Sequence, residues 1–254
     1  MRGAGSEFAG RARTAVILGS GLSGGSPPGE VLVSASYDEI EGLRIPSVDG
    51  HPGTLSLVAA RRRNLIVFSG RSHLYEGGSP GGGGSCVRAA ARLGCSEVIL
   101  AHAAGSLTRS IPPASWLIPG GIVCFPWRGS GGAEAVSGRP AARPCISVEL
   151  RAEIERAAGE AGEPFAAGVL YWTAGPSYET PAEGRAAVAA GADAAAMSPL
   201  PELSEAAVLG LGAACLSRIT NYTPNAGGGR TDHGEVLASG LGGTGTLSRI
   251  LASL

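Results

Sequence analysis

Residues 15–25 read AVILGSGLSGG, an apolar run followed by Gly19, Gly21 and Gly24 at the spacing G-x-G-x-x-G. That spacing suits a turn whose backbone N–H groups approach a phosphate, and it is the spacing of the dinucleotide-binding turn. A dinucleotide fold, however, needs a helix to open at the third glycine, with its N-terminus facing the pyrophosphate. Here Gly24 is followed by GSPPGEVLV, whose two prolines cannot form the first turns of an ordinary amphipathic helix. Acidic residues do follow about twenty positions on (Asp38, Glu39, Glu41), but YDEIEG offers no strand end to present them. The turn is therefore read either as a purely structural one or as a site for a single phosphate or oxyanion, with Ser20 contributing a hydroxyl.

The surroundings of this turn alternate between strand and helix. Short apolar runs at 14–18 (TAVIL), 30–34, 55–60, 64–69 (NLIVFS), 97–101, 168–173 and 215–220 read as mostly buried strands. Segments 87–93, 147–161, 182–190 and 203–211, rich in Ala, Arg, Glu and Leu, read as helices, with one or two more at the C-terminus. The expected fold class is α/β, a single domain (14–254) with a mixed central β-sheet flanked by helices, after a flexible segment 1–13. The glycine-rich runs 77–85 and 129–144 are expected to be flexible but too short to separate domains.

Composition removes several function classes. The 254 residues contain 20 basic side chains, all of them arginine, so chemistry on a lysine Schiff base and a Walker-type phosphate loop are excluded. A net charge of −1 gives no general attraction for nucleic acid or an anionic membrane, and no apolar run is long enough to span a bilayer. Five scattered cysteines without a CxxC pair favour reduced thiols over disulfides or zinc, and no apolar leader precedes the first strand. A cytoplasmic protein without metal is expected.

The candidate chemistry lies in segments that follow the apolar runs. GRSHLYEG (70–77) places Arg71, His73 and Tyr75 at alternate positions, which in an extended chain project to one side as an anion site. AHAAGSL (101–107) is a small-residue turn whose amides can approach a ligand. In AGPSYETPAE (174–183), Glu179 is positioned either to cap the following helix or to accept from a ligand's ring N–H. Met197 and Ser198 follow a small-residue run. Thr220 and Asn221 end a strand, and His233 stands at a helix start.

Taken in order, GSGL, GRxHxYEG, AAGSL, AGPSYETPAE, MSxxPE, ITN and HxEVL resemble the trimeric purine nucleoside phosphorylase family, from about Val16 to about Leu237. The resemblance implies the nucleoside phosphorylase/hydrolase-like fold and phosphate-dependent cleavage of the N-glycosidic bond of a purine nucleoside. The products would be free base and ribose 1-phosphate, the reaction of a pentosyltransferase in purine salvage. No cofactor is implied, inorganic phosphate being a co-substrate. The partners implied are a nucleoside, phosphate and two further copies in a homotrimer. By the family pattern, Ser20, Arg71, His73, Ser198 and the backbone N–H of Ala103 would bind phosphate, with Glu76 orienting His73 and His51 of GHPG nearby. Tyr75 and Met197 would contact the ribose, and His233 its 5′-hydroxyl. Tyr178 would lie against the base, Glu179 would accept from N1–H, and Asn221 would bridge N7 and O6. Asn221, a donor where methylthioadenosine phosphorylases carry an aspartate, and His233 together favour inosine and guanosine.

The chain departs from that pattern at Ala101-His102, where the family has Thr-Asn, and in PPASWLIPGGIVCF (112–125), which lacks the usual polar residues. Phe125 and Trp127 are the candidates to replace an aromatic contact to a neighbouring subunit. These departures leave two further readings open. One is a phosphorylase specialised for a 5′-modified or 6-amino nucleoside, the other a catalytically silent homologue that binds nucleoside.

Overall fold

The computed structural model describes residues 4–48, 50–76, 82–125, 146–229 and 232–254. Most of the two glycine-rich runs, and Trp127, lie outside these residues.

Apolar runs with no polar alternation are explained by cover on both faces. β1 (Thr14–Leu18) is buried at every residue. Its Ala15 and Ile17 join a core with Phe8, Tyr37, Phe68, Val87 and Leu203, whereas Val16 and Leu18 join another with Ile99, Ile154, Trp116 and Ile250. A strand that faces two cores gains nothing from a polar face. β1 pairs in parallel with β4 (Asn64–Ser69) and with β5 (Glu97–Ser106).

Among the described residues, nine strands form one mixed sheet in the order β2-β3-β4-β1-β5-β8-β7-β6-β9, and β9 (Gly212–Tyr222) pairs back onto β5, closing that end of the sheet on itself. At the other end, β3 (Thr54–Ala59) is antiparallel to both β4 and the outermost strand, β2 (Glu30–Ser36). β2 is largely exposed, with Val31 and Leu32 open to solvent, contrary to the expectation of a mostly buried strand. Its apolar run is short because an edge strand needs only one covered face.

Two strands have weak local signals. β6 (Trp116–Cys124) contains Pro119 and two glycines, and its register against β7 (Phe165–Trp172) shifts between Pro119 and Gly121. A proline and a bulge obscure a strand that only its pairing sustains. β8 (Ala194–Ala196) is three alanines held between β5 and β7.

The helices are α1 (Ser85–Arg92), α2 (Val148–Glu160), α3 (Pro181–Ala189), α4 (Leu200–Leu209), α5 (His233–Leu241) and α6 (Thr244–Ala252). Their starts follow the chain's capping residues. Ser147 accepts from the Leu150 N–H at the start of α2, Thr180 and Glu183 form a reciprocal capping box on α3, and Asp232 accepts from the Gly234 N–H on α5.

The expected flexible segment 1–13 is instead docked from Phe8 onward. Phe8 is fully buried, Ala12 joins the same core, and the Gly10 N–H donates to the Leu93 carbonyl. One aromatic side chain buried against that core anchors the chain around Phe8. Residues 19–29 contain turns and bends but no helix, which removes the dinucleotide reading of the opening glycines.

Candidate active site

Six strands end around one cavity of about 330 Å³. The turn after β1 supplies Ser20, and the segment after β4 supplies His73 and Tyr75. The end of β5 supplies His102, Ala103, Ala104 and Gly105. The segment after β7 supplies Thr173, Pro176, Tyr178 and Glu179. Met197 and Ser198 follow β8, Thr220 and Asn221 end β9, and His233 and Val236 come from α5. Eleven of the residues expected at the site therefore face a single space: Ser20, His73, Tyr75, His102, Ala103, Tyr178, Glu179, Met197, Ser198, Asn221 and His233.

Three expected residues stand behind that lining. The Glu76 carboxylate accepts from the His73 backbone N–H and meets its Nδ1 at 3.1 Å, while its other oxygen accepts from Ser47 N (2.8 Å) and Oγ (2.7 Å). One carboxylate thus ties His73 to the 43–53 loop. Burial opposes its ionisation, but the hydrogen bonds from His73 and Ser47 prevail and lower its pKa to about 2. His51, on that loop, places Nε2 3.2 Å from Ser20 Oγ, and its ring is tilted against His73. Burial, then the His73 and Arg71 charges, hold its pKa down to about 3.

Arg71 departs from expectation. Residues 71, 73 and 75 do not share one side, because Leu74–Glu76 is a 3-10 turn and not extended chain. The guanidinium runs beneath Gly19, donates to the Ile17 and Ala101 carbonyls, and pairs with Glu202 of α4 at 2.9 Å, both side chains being buried. Glu202 and the two carbonyls engage its terminal nitrogens, while beneath the opening turn its buried Nε has no hydrogen-bond partner among the described residues.

Glu179 directly precedes the cap of α3, which Thr180 and Glu183 form. It is instead a buried carboxylate on the cavity wall. Beside it on that wall, Asn221 Oδ1 accepts from Thr220 Oγ1 (2.8 Å) and Nδ2 donates to the Tyr222 carbonyl (3.1 Å), which orients the amide. Tyr75 stacks on His73 with ring centroids 5.0 Å apart, and burial raises its pKa to about 12. Gly175 lets the 174–179 turn approach this pair. Its φ is +70°, and a Cβ there would lie 2.6 Å from Met197 Sδ and 2.7 Å from Tyr75 Cδ1. Trp172 Nε1 donates to the Met197 carbonyl at 3.0 Å.

Several contributors escaped the sequence reading. Val48, Thr173 and Val236 line the cavity, Ser47 anchors Glu76, and Glu202 pairs with Arg71. Only MSxxPE, which contains Glu202, carried a signal. Phe125 packs against Tyr171 of its own chain. Among the described residues, no group of three or more His, Cys, Asp or Glu could hold a metal ion.

One cavity thus brings together hydroxyls, imidazoles and a strand amide with a buried carboxylate and a carboxamide. Residues 16–254 match the model of the phosphorylase superfamily, and the chain belongs to that family. It is 32% identical to purine nucleoside phosphorylase 1 of Bacillus subtilis over 209 residues, which are 80% of this chain and 77% of that protein. Two solved structures of the Schistosoma mansoni purine nucleoside phosphorylase share its fold. The complex with adenosine has a TM-score of 0.82 at 26% identity, covering 95% of this chain and 89% of that one. The complex with inosine has a TM-score of 0.80 at 28% identity, covering 98% and 93%.

Proposed function

We propose that the protein is a purine nucleoside phosphorylase that cleaves the N-glycosidic bond of inosine or guanosine with inorganic phosphate. The observation that carries this reading is that Glu179 and Asn221 share one cavity with Ser20, His73, Ala103 and Ser198.

Phosphate would be held by the Ser20 and Ser198 hydroxyls, His73, the Ala103 N–H and the Arg71 guanidinium, whose Nε has no hydrogen-bond partner among the described residues, and would attack C1′ with inversion as the sugar becomes cationic. Held in place, it needs no covalent nucleophile from the protein. The departing purine gains negative charge at N7 and O6, where Asn221 can donate, while Glu179 accepts from N1–H of a 6-oxopurine. Met197 and the stacked Tyr75 would bound the ribose, Tyr178 the base, and His233 would reach the 5′-hydroxyl.

No cofactor enters this scheme. The family resemblance supports a homotrimer in the cytoplasm. Among the described residues no helix is long and apolar enough to cross a membrane. A 5′-modified sugar is the second reading, favoured by Val48 and Val236 on the cavity wall.

The test follows base release from inosine, guanosine, adenosine and a 5′-alkylthio nucleoside, with and without phosphate. Phosphate-dependent release from inosine or guanosine is expected to dominate. Its absence would overturn the reading, and preference for the 5′-alkylthio substrate would select the second.

A further inference from the structure

His102 lines the cavity yet is only 2% exposed, and both ring nitrogens meet polar neighbours. Nδ1 lies 3.1 Å from the Ala103 carbonyl, and Nε2 lies 3.2 Å from Oγ of Ser217, its register partner on β9. A carbonyl can only accept, so Nδ1 carries the proton. Nε2 is then an acceptor, and Ser217 donates to it. Burial, followed by the Arg71 charge, keeps this imidazole neutral, with a pKa lowered to about 3.

The carbonyl that His102 engages is at a critical place. β1 ends at Leu18, opposite Ala101, and β5 runs on past it. The Ala101 carbonyl faces the β1 side, where it accepts from the Gly19 N–H and from Arg71. Successive residues of a strand alternate between its two edges, so Ala103 directs both its N–H and its C=O to the same side, now beyond the end of β1. An uncapped carbonyl there would set an acceptor beside the oxygens of any bound phosphate. Two successive carbonyls on this edge, Ala101 and Ala103, are thus engaged by the side chains of Arg71 and His102.

We propose that His102, held by Ser217, is a positioning residue for phosphate. It caps the Ala103 carbonyl, so that this wall presents the Ala103 N–H to the anion without a competing acceptor. The inference rests on the phosphorolytic reading for its choice of anion.

The experiment measures steady-state kinetics on inosine and calorimetric titration with inorganic phosphate for the wild type, His102→Ala, His102→Gln and Ser217→Ala. His102→Ala is expected to raise both KM and Kd for phosphate about tenfold, the scale of one hydrogen bond at a charged ligand. Its KM for inosine and its kcat at saturating phosphate stay within about threefold of wild type. His102→Gln, which retains an N–H donor, recovers part of the loss, and Ser217→Ala, which leaves Nε2 unheld, loses about three- to fivefold. Unchanged phosphate affinity in folded His102→Ala, or equal losses for inosine and phosphate, overturns the proposal. Should His102→Ala not fold, unchanged phosphate affinity in Ser217→Ala overturns it. A wild type whose phosphate affinity falls on His102→Ala but which cleaves no nucleoside refutes the proposed function and leaves this inference standing.

Discussion

At the scale of single residues, charge is placed close to the cavity but kept from crowding it. Arg71 is paired with Glu202, and burial depresses the pKa values of His51 and His102. Base selection rests on Glu179 and Asn221. Asn221→Asp replaces an N–H donor with an acceptor, so inosine cleavage should fall about 10²- to 10³-fold while the adenosine/inosine ratio rises, as measured by kcat/KM on both substrates. The two buried histidines also set an acid limit. Their pKa values of about 3, against an ordinary 6.5, mean that the unfolded chain takes up protons first as pH falls. The stability they contribute is complete above pH 6.5 and declines from there toward pH 3. Glu76, lowered from 4.5 to about 2, adds a second loss over that lower range. Denaturant midpoints across pH 7 to 3 should show the decline beginning above the carboxylate range, and the double variant His51→Gln/His102→Gln should flatten its first part.

At the scale of elements, the opening glycines serve packing as well as ligand approach. Gly21 has φ +73°, and a Cβ there would lie 2.8 Å from the Leu237 carbonyl oxygen and 2.9 Å from Gly240 Cα, both in α5. Gly21→Ala should therefore cost on the order of 1–3 kcal/mol in chemical denaturation. Because Ser20 and His233 lie on the two sides of that contact, it should also raise KM for phosphate. The Arg71–Glu202 pair joins the segment after β4 to α4. Glu202→Gln leaves a guanidinium buried without its counter-charge, and about 3–5 kcal/mol of stability should be lost. A Glu202→Gln chain as stable as wild type would show that the pair is dispensable. Elements were legible in the sequence where their chemistry is local. Composition alone places a helix over 182–190, close to α3, whereas β6 and β8 carry Pro-Gly-Gly and three alanines, patterns that only neighbouring strands turn into sheet.

For the whole molecule, the sheet covers its two faces with separate cores and closes one end through the β5–β9 pairing. The N-terminal segment belongs to this structure because Phe8 is fully buried. Phe8→Ala should lower stability by about 3–5 kcal/mol, seen as a thermal shift of roughly 2–4 °C per kcal/mol. An unchanged melting temperature would mean that the segment is not part of the folded core.

The chain's linear order was enough to read the phosphorylase motifs, the α/β alternation, the failure of the dinucleotide fingerprint and most residues of the cavity. Each of these depends on residue type and short spacing, through turns, caps and apolar runs. What it could not determine is how side chains are shared between distant segments. GRSHLYEG presents Arg71 and His73 as equivalent side chains, yet Arg71 pairs with Glu202, 131 residues away, and His73 with Glu76, three residues on. His102, its tautomer fixed by the adjacent Ala103 carbonyl, finds a donor for its other nitrogen only in Ser217, 115 residues on. Buried polar groups must find partners wherever the fold provides them, and that competition between near and distant partners is settled only when the strands are in register.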